Sequence, residues 1–391
     1  MKHHSQLHLP VKNAFFWFFA GFYLFTVYTA LYYKRIGFSS KEIGALTSLY
    51  YGVGMIAGPV LGVFADRSRD PRRILQAGLF VGAVSLAGIY TSSEFLPIFF
   101  LLLLFAAFYG PLVPLLDALT IGTLRRIGGD YGRIRLWGTI GFVLSAVAIW
   151  PVLDWKDNLR LVIPFFLVYA SIAFILFGRY PHDGRPASSR LDFSGFRLLR
   201  KPQFLVFLMA TSFHSLAIIG FYTFFSIYLE SRGVPSAYNG LIWVIGPAAE
   251  VGAFFVAGRF IARWGIKRVL LFSYGATALR LLILSVTPPL AVVLATQLLH
   301  AGSYGTLHSA SVAFLARQAK ETNRSSVQTL YTGAMQLAYV MGPLLAGVLV
   351  GNFSLATMFF VYGSVALAAL VFFLVFFRER AHRPEDDLAA L

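Results

Sequence analysis

Residues 62–73 read Gly62-Val-Phe-Ala-Asp66-Arg67-Ser-Arg69-Asp-Pro-Arg72-Arg73, and residues 258–268 read Gly258-Arg-Phe-Ile-Ala-Arg263-Trp-Gly265-Ile-Lys267-Arg268. Both stretches follow a long apolar segment and precede another. Each carries a glycine near the end of the first segment, where it permits close helix contact, and then a short basic turn. Asp66 can cap the next helix or pair with an arginine. In the second copy Ala262 stands where an acid would sit. A basic loop alone only sets topology. Its recurrence at the equivalent place in both halves points to an internal duplication.

The apolar segments around these loops decide the solvent. The chain of 391 residues is 58% hydrophobic and 13% charged, with 39 phenylalanines. A soluble domain carries about a quarter charged residues. The length divides into about twelve units of a span and a short loop. Hydropathy places the spans near 13–33, 42–64, 74–90, 95–119, 134–153 and 161–177, and then near 203–229, 238–258, 269–286, 290–315, 327–350 and 355–377. The expected organisation is an N-terminal six-helix bundle over 1–180, a linker over 181–201, a C-terminal six-helix bundle over 202–378 and a charged tail over 379–391. Pro181, Gly184, Arg185, Pro186 and Arg190 suit an exposed cytoplasmic connection.

The formal charge of +16 does not call for a nucleic acid, because of where it lies. With the N-terminus inside, only Lys34, Arg35, Lys41, Lys156, Arg160 and Arg232 fall in outer loops. Arg280 stands alone deep in a span, and the rest of the 33 Lys and Arg lie on the inner side. Such a bias sets both termini in the cytoplasm. There is no cysteine, so disulfides and thiolate metal sites are excluded. His3 and His4 in the N-terminal tail are read as incidental, and no metal or cofactor is expected. No secretory signal order precedes the first span.

The duplicated loop, the two sets of six spans and the central polar stretch resemble the major facilitator superfamily. The resemblance implies an all-α integral membrane fold of two pseudo-symmetric six-helix bundles facing a central cavity, with alternating access. A monomer is the family expectation. Gly62, Asp66, Arg67, Arg72 and Arg73 match that superfamily's conformational loop.

Ionisable residues within spans are expensive, about 2.5–3.5 kcal/mol each at a helix centre. Here they are Asp117, Arg135, His214, Glu250, Arg280, His300 and His308. Asp117 and Arg135 flank one inner loop at comparable depth, where an ion pair is reasonable and interfacial anchoring is the alternative. The string Tyr131-Gly-Arg-Ile-Arg135-Leu-Trp-Gly138-Thr-Ile-Gly141-Phe142 resembles the start of the fifth helix of the lactose permease and its relatives. That family also has an acid eighteen residues before the second arginine, as Asp117 stands to Arg135. The resemblance implies substrate contacts by Asp117, Arg135 and Phe142. Phe142 replaces a tryptophan and Asp117 a glutamate, which departs from the galactoside pattern.

Arg280 and His300 keep the spacing of an arginine and a histidine that the same family uses in proton coupling. The family's neighbouring lysine is Gln297 here, and its following carboxylate is Ser303. Glu250, in Gly246-Pro-Ala-Ala-Glu250, is the only acid within a second-half span and is assigned the proton. A carboxylate in a poorly hydrated cavity exchanges protons near neutrality. His300, Tyr304 and His308 recur every four residues on one helix face, and their run resembles the phenylpropionate-permease branch. Tyr304 and His308 are therefore candidate substrate contacts. For a histidine such as His214, a helix–helix hydrogen bond is the plainer reading.

The expected function is a secondary transporter in the cytoplasmic membrane, proton-coupled and moving an aromatic carboxylate, sugar or nucleoside inward. Efflux by antiport is the alternative. A non-transporting membrane protein is third. An enzyme is not expected, since no zinc pair, phosphate loop or other catalytic constellation is present.

Overall fold

A computed structural model describes residues 2–181, 194–319 and 323–378. Most of the expected connection, including Gly184, Arg185, Pro186 and Arg190, lies outside the described residues, as do the tail over 379–391 and the side chains of His3 and His4. Every regular element among the described residues is a helix. In lipid a spanning segment must satisfy its backbone internally, and a helix does this without a partner.

The helices are α1 (Lys2–Arg35), α2 (Ser40–Arg67), α3 (Arg72–Thr91), α4 (Phe95–Phe108), α5 (Leu112–Ile127), α6 (Tyr131–Trp155), α7 (Val162–Gly178), α8 (Pro202–Ser231), α9 (Ser236–Ser285), α10 (Leu290–His300), α11 (Thr306–Gln318), α12 (Arg324–Asn352) and α13 (Leu355–Phe376). Eleven stretches among the described residues are long and apolar enough to cross a membrane. α9 contributes one of these, yet Gly265 interrupts it at φ 78° and ψ 161°. This left-handed backbone breaks α9 into two lengths, and a side chain there would be strained. The break accounts for the dozen spans expected. The fourth expected span is two helices, α4 and α5, separated by Tyr109-Gly110-Pro111. Pro111 has no N–H to offer the preceding turn.

By contacts the chain divides into two compact units, Met1–Ser189 with Leu229–Val244, and Arg190–Tyr228 with Ile245–Leu391. The short segment 229–244, which joins α8 to α9, thus packs with the first unit.

In the first unit α1 lies against α6 and α7 and is its most buried span. The α1–α6 approach is close because Gly141 has no side chain: a Cβ there would overlap the Phe16 carbonyl. Loop ends are capped locally. Ser39 and Glu42 form a reciprocal box at the start of α2, and Asp130 accepts from the Gly132 N–H at 2.7 Å. Arg35 is bidentate to Asp157 at 2.8 and 3.0 Å and donates from Nε to Glu230 at 2.7 Å. Asp157 also accepts from the Ser236 hydroxyl. Burial raises the Asp157 carboxyl, but the Arg35 and Ser236 hydrogen bonds outweigh it and hold it below its ordinary value. Trp150 meets Tyr238 edge-on, and the Tyr23 and Tyr28 hydroxyls close over Gly240. These contacts seat 229–244.

In the second unit Phe204, Phe207, Ile261, Ile266, Val269, Leu270, Phe314, Phe373 and Phe377 form one buried cluster. Lys267 reaches across it to donate to the Phe377 carbonyl at 2.7 Å, at the end of α13.

Candidate functional site

Most of the site residues expected from the sequence fall, among the described residues, in a polar cluster inside the spans of each unit.

The first is built on α1, α5 and α6. The Arg135 guanidinium sits over the Phe19 ring, 4.0 Å from its centroid. Gly138, one turn further along α6, makes room: a Cβ there would lie 2.8 Å from the Phe19 ring and 2.9 Å from Arg135 Nη1. Tyr131 interacts through its hydroxyl with both Asp117 and Arg135. Asp117 and Arg135 are thus both linked to a third residue that the sequence reading passed over. Phe142 meets Tyr23 edge-on at 4.9 Å. The cluster brings together a cation, a carboxylate, a phenol and aromatic faces.

The second cluster is built on α8, α9 and α10. His300 Nε2 lies 3.2 Å from Glu250 Oε2, and its Nδ1 lies 2.7 Å from the Tyr222 hydroxyl. The Glu250 side chain is 13% exposed and that of His300 8%. Backbone packs tightly against the pair. A Cβ on Gly246 would lie 3.0 Å from the His300 ring, and one on Gly305 would lie 3.0 Å from Glu250 Cγ. Arg280 is 1% exposed. Its Nη2 donates to Gln297 Oε1 at 2.5 Å, and its guanidinium lies over Phe221 at 4.4 Å. Gln297 Nε2 donates back to the Val293 carbonyl at 3.2 Å, which aims the amide oxygen at the arginine. Nε and Nη1 of Arg280 lack a hydrogen-bond partner among the described residues. Tyr222 feels the charges of both Arg280 and Glu250. It links the carboxylate–imidazole pair to the buried cation. The sequence reading did not single out Tyr222.

The chain between α10 and α11 makes a π turn, Ala301–Gly305. A π turn carries one residue more than the α-helix it interrupts and is common at functional sites. Side-chain hydroxyls meet the carbonyls it exposes: Thr306 donates to Gly302 and bonds Ser273 at 2.7 Å, and Ser309 donates to Gly305 at 3.0 Å. The rings of His300, Tyr304 and His308 lie nearly parallel, with centroids 5.7 and 6.5 Å apart. His214 bonds Thr277 at 2.7 Å between α8 and α9, a helix–helix bond apart from this cluster.

The loop over 62–73 is held by a residue not singled out in the sequence. Asp70 accepts from Arg72 Nε at 2.7 Å and lies 3.7 Å from Arg73. Arg72 also donates to the Gly178 and Tyr180 carbonyls at 3.3 and 3.4 Å, tying the loop to the end of α7. Gly62 does not serve close helix contact as expected, since a Cβ there would meet no atom within 4 Å.

Residues 8–362 match the MFS_1 like family, and the chain belongs to it. It is a multi-pass membrane protein with the major facilitator fold, a secondary transporter of small organic solutes and not an enzyme. It is 29% identical over 326 residues to the maltose permease of Geobacillus stearothermophilus, covering 81% of this chain and 80% of that one. It is 27% identical over 330 residues to the probable 3-phenylpropionic acid transporter of Escherichia coli (strain K12), covering 81% and 84%. The crystal structure of the nucleoside transporter NupG superposes with a TM-score of 0.83 at 18% identity, covering 96% of this chain and all of that one.

Proposed function

We propose that the protein is a proton-coupled symporter that takes up a hydroxyl- or carboxylate-bearing solute by alternating access. It acts as a monomer in the cytoplasmic (inner) membrane with both termini inside. The orientation rests on the clustering of Lys and Arg in one set of loops. The relatives bear names that speak of maltose, 3-phenylpropionic acid and nucleosides, all small solutes of this chemistry.

The observation that carries the proposal is the buried Glu250–His300–Tyr222 chain beside Arg280. A neutral His300 that donates from Nε2 to Glu250 has a bare Nδ1, which accepts from the Tyr222 hydroxyl. An imidazolium donates from both nitrogens, so the Tyr222 oxygen must become an acceptor. Loading a proton on the pair therefore reverses the Tyr222 bond. The reversal changes what Tyr222 offers to Arg280, whose open N–H groups suit a carboxylate or hydroxyl ligand. Asp117, Arg135, Phe142, Tyr304 and His308 are the further substrate contacts of this reading.

A ligand panel of aromatic carboxylates, disaccharides and nucleosides, read by thermal shift, names the class. A binder at 100 times its Kd stabilises by about 2.7 kcal/mol, and Arg135→Ala removes the effect. The coupling test is Glu250→Gln in proteoliposomes. Uphill uptake driven by a pH gradient should vanish while exchange of labelled for unlabelled solute persists. Undiminished uphill uptake would sink the assignment of Glu250.

A further inference from the structure

The two copies of the basic loop differ in charge balance. Residues 62–73 hold four arginines and two aspartates, and Asp70 neutralises Arg72 and Arg73 directly. Residues 258–268 hold three arginines, one lysine and no acid. Arg259, Arg263 and Arg268 are exposed and form no ion pair among the described residues. Lys267 is turned inward to the Phe377 carbonyl. Between the arginines lies an apolar slab. The Trp264 ring is 41% exposed and stacks on Phe260 with centroids 4.7 Å apart and planes within 4°. The opposite side of the same turn, Ile261, Ile266 and Val269, is buried in the second unit's core. The turn thus presents an outer face carrying an indole and three guanidinium groups without an ion-pair partner among the described residues.

This face closes one end of a membrane span, at the break at Gly265. An indole at a span end sits at headgroup level, and arginine stems lie along acyl chains while their heads reach the phosphate layer. Unpaired arginines there attract anionic lipid. We propose that residues 259–268 form a binding site for an anionic phospholipid headgroup, with Arg259, Arg263 and Arg268 holding the phosphate and Trp264 packing on the glycerol and upper acyl chain. Guanidinium groups give phosphate paired hydrogen bonds that a zwitterionic lipid's choline would oppose.

The experiment uses the full chain in detergent micelles, titrated with phosphatidylglycerol, phosphatidylcholine or inorganic phosphate and followed by thermal unfolding and by native mass spectrometry. Phosphatidylglycerol should raise the Tm and remain bound, and phosphatidylcholine and phosphate should do neither. The triple variant R259Q/R263Q/R268Q, altered only at exposed positions, should keep its Tm in phosphatidylcholine and bind phosphatidylglycerol about a hundredfold more weakly. The matched variant R67Q/R69Q/R73Q should retain the phosphatidylglycerol response. The proposal is overturned if the first triple variant responds like the wild type, if both variants lose the response equally, or if phosphate alone reproduces it. Deleting residues 379–391 from the wild type should leave the lipid affinity unchanged. A gain of tenfold or more would name the tail as the occupant instead.

Discussion

Replacing Tyr222 by Phe removes one oxygen from the centre of the second cluster and leaves the ring. The lost bond joins the Tyr222 hydroxyl to His300 Nδ1 at 2.7 Å in a buried site. A buried acceptor left bare costs about 1–3 kcal/mol. If protonation of the Glu250–His300 pair is felt at Arg280 through the reversed Tyr222 bond, the coupling free energy cannot exceed that bond's worth. The coupling then corresponds to a change of about 5- to 150-fold in solute affinity between the protonated and deprotonated pair. The assay is equilibrium binding of the solute found in the ligand panel, at about pH 5.5 and about pH 8, on either side of an ordinary histidine. The wild-type Kd should differ between the two by a factor in that range. In Tyr222→Phe the ratio should fall towards one, with a measurable loss of thermal stability. A variant that stays folded and keeps the full wild-type ratio would refute the linkage, even if its transport were slow.

Gly138→Ala should press a methyl group against both Phe19 and Arg135, which lie 2.8 and 2.9 Å from its position. Overpacking there should cost about 1–3 kcal/mol of stability and displace the stacked guanidinium, so that Tm falls and solute Kd rises together. Asp157 sets the sign of an acid dependence. Its carboxyl lies below its ordinary value in the folded protein, so its contribution is present above about pH 4 and is lost as pH falls through the depressed value. Asp157→Asn should therefore leave the shape of the uptake profile between about pH 5.5 and pH 8 unchanged, while Glu250→Gln should change it.

Much of the architecture was legible because a membrane span is a property of composition over about 20 residues. The loops at 62–73 and 258–268 could be aligned by eye. What broke the spans was less visible. The break at Gly265 falls in the basic turn that the sequence places between two spans, but Pro111 lies within one expected span, and only the backbone geometry shows that it divides two helices. Glu250, Arg280 and His300 stood out as charges where lipid discourages them. Tyr222 and Tyr131 did not, because one more tyrosine in an aromatic-rich chain gives no contrast. Their importance lies in which neighbouring helix they face across 78 residues of sequence in one case and within a turn of Arg135 in the other. Asp70 was hidden for a related reason. In a loop with two acids and four arginines, composition does not say which acid takes which base.

The π turn at Ala301–Gly305 bears on how this chain should be compared with its relatives. Deleting one residue there would restore an ordinary α-helix with later positions near their present faces, whereas tightening the turn to α geometry with all its residues kept would rotate every later position of the span by about 100° and shift it by about 1.5 Å. Thr306 would leave Ser273, and Tyr304 and His308 would turn away from the face that His300 occupies. A gap of one residue in this turn is thus a change of register for half a helix. Chains that lack the extra residue should carry their equivalents of His308 one position earlier, and a residue-by-residue comparison drawn straight through the turn will pair the wrong side chains.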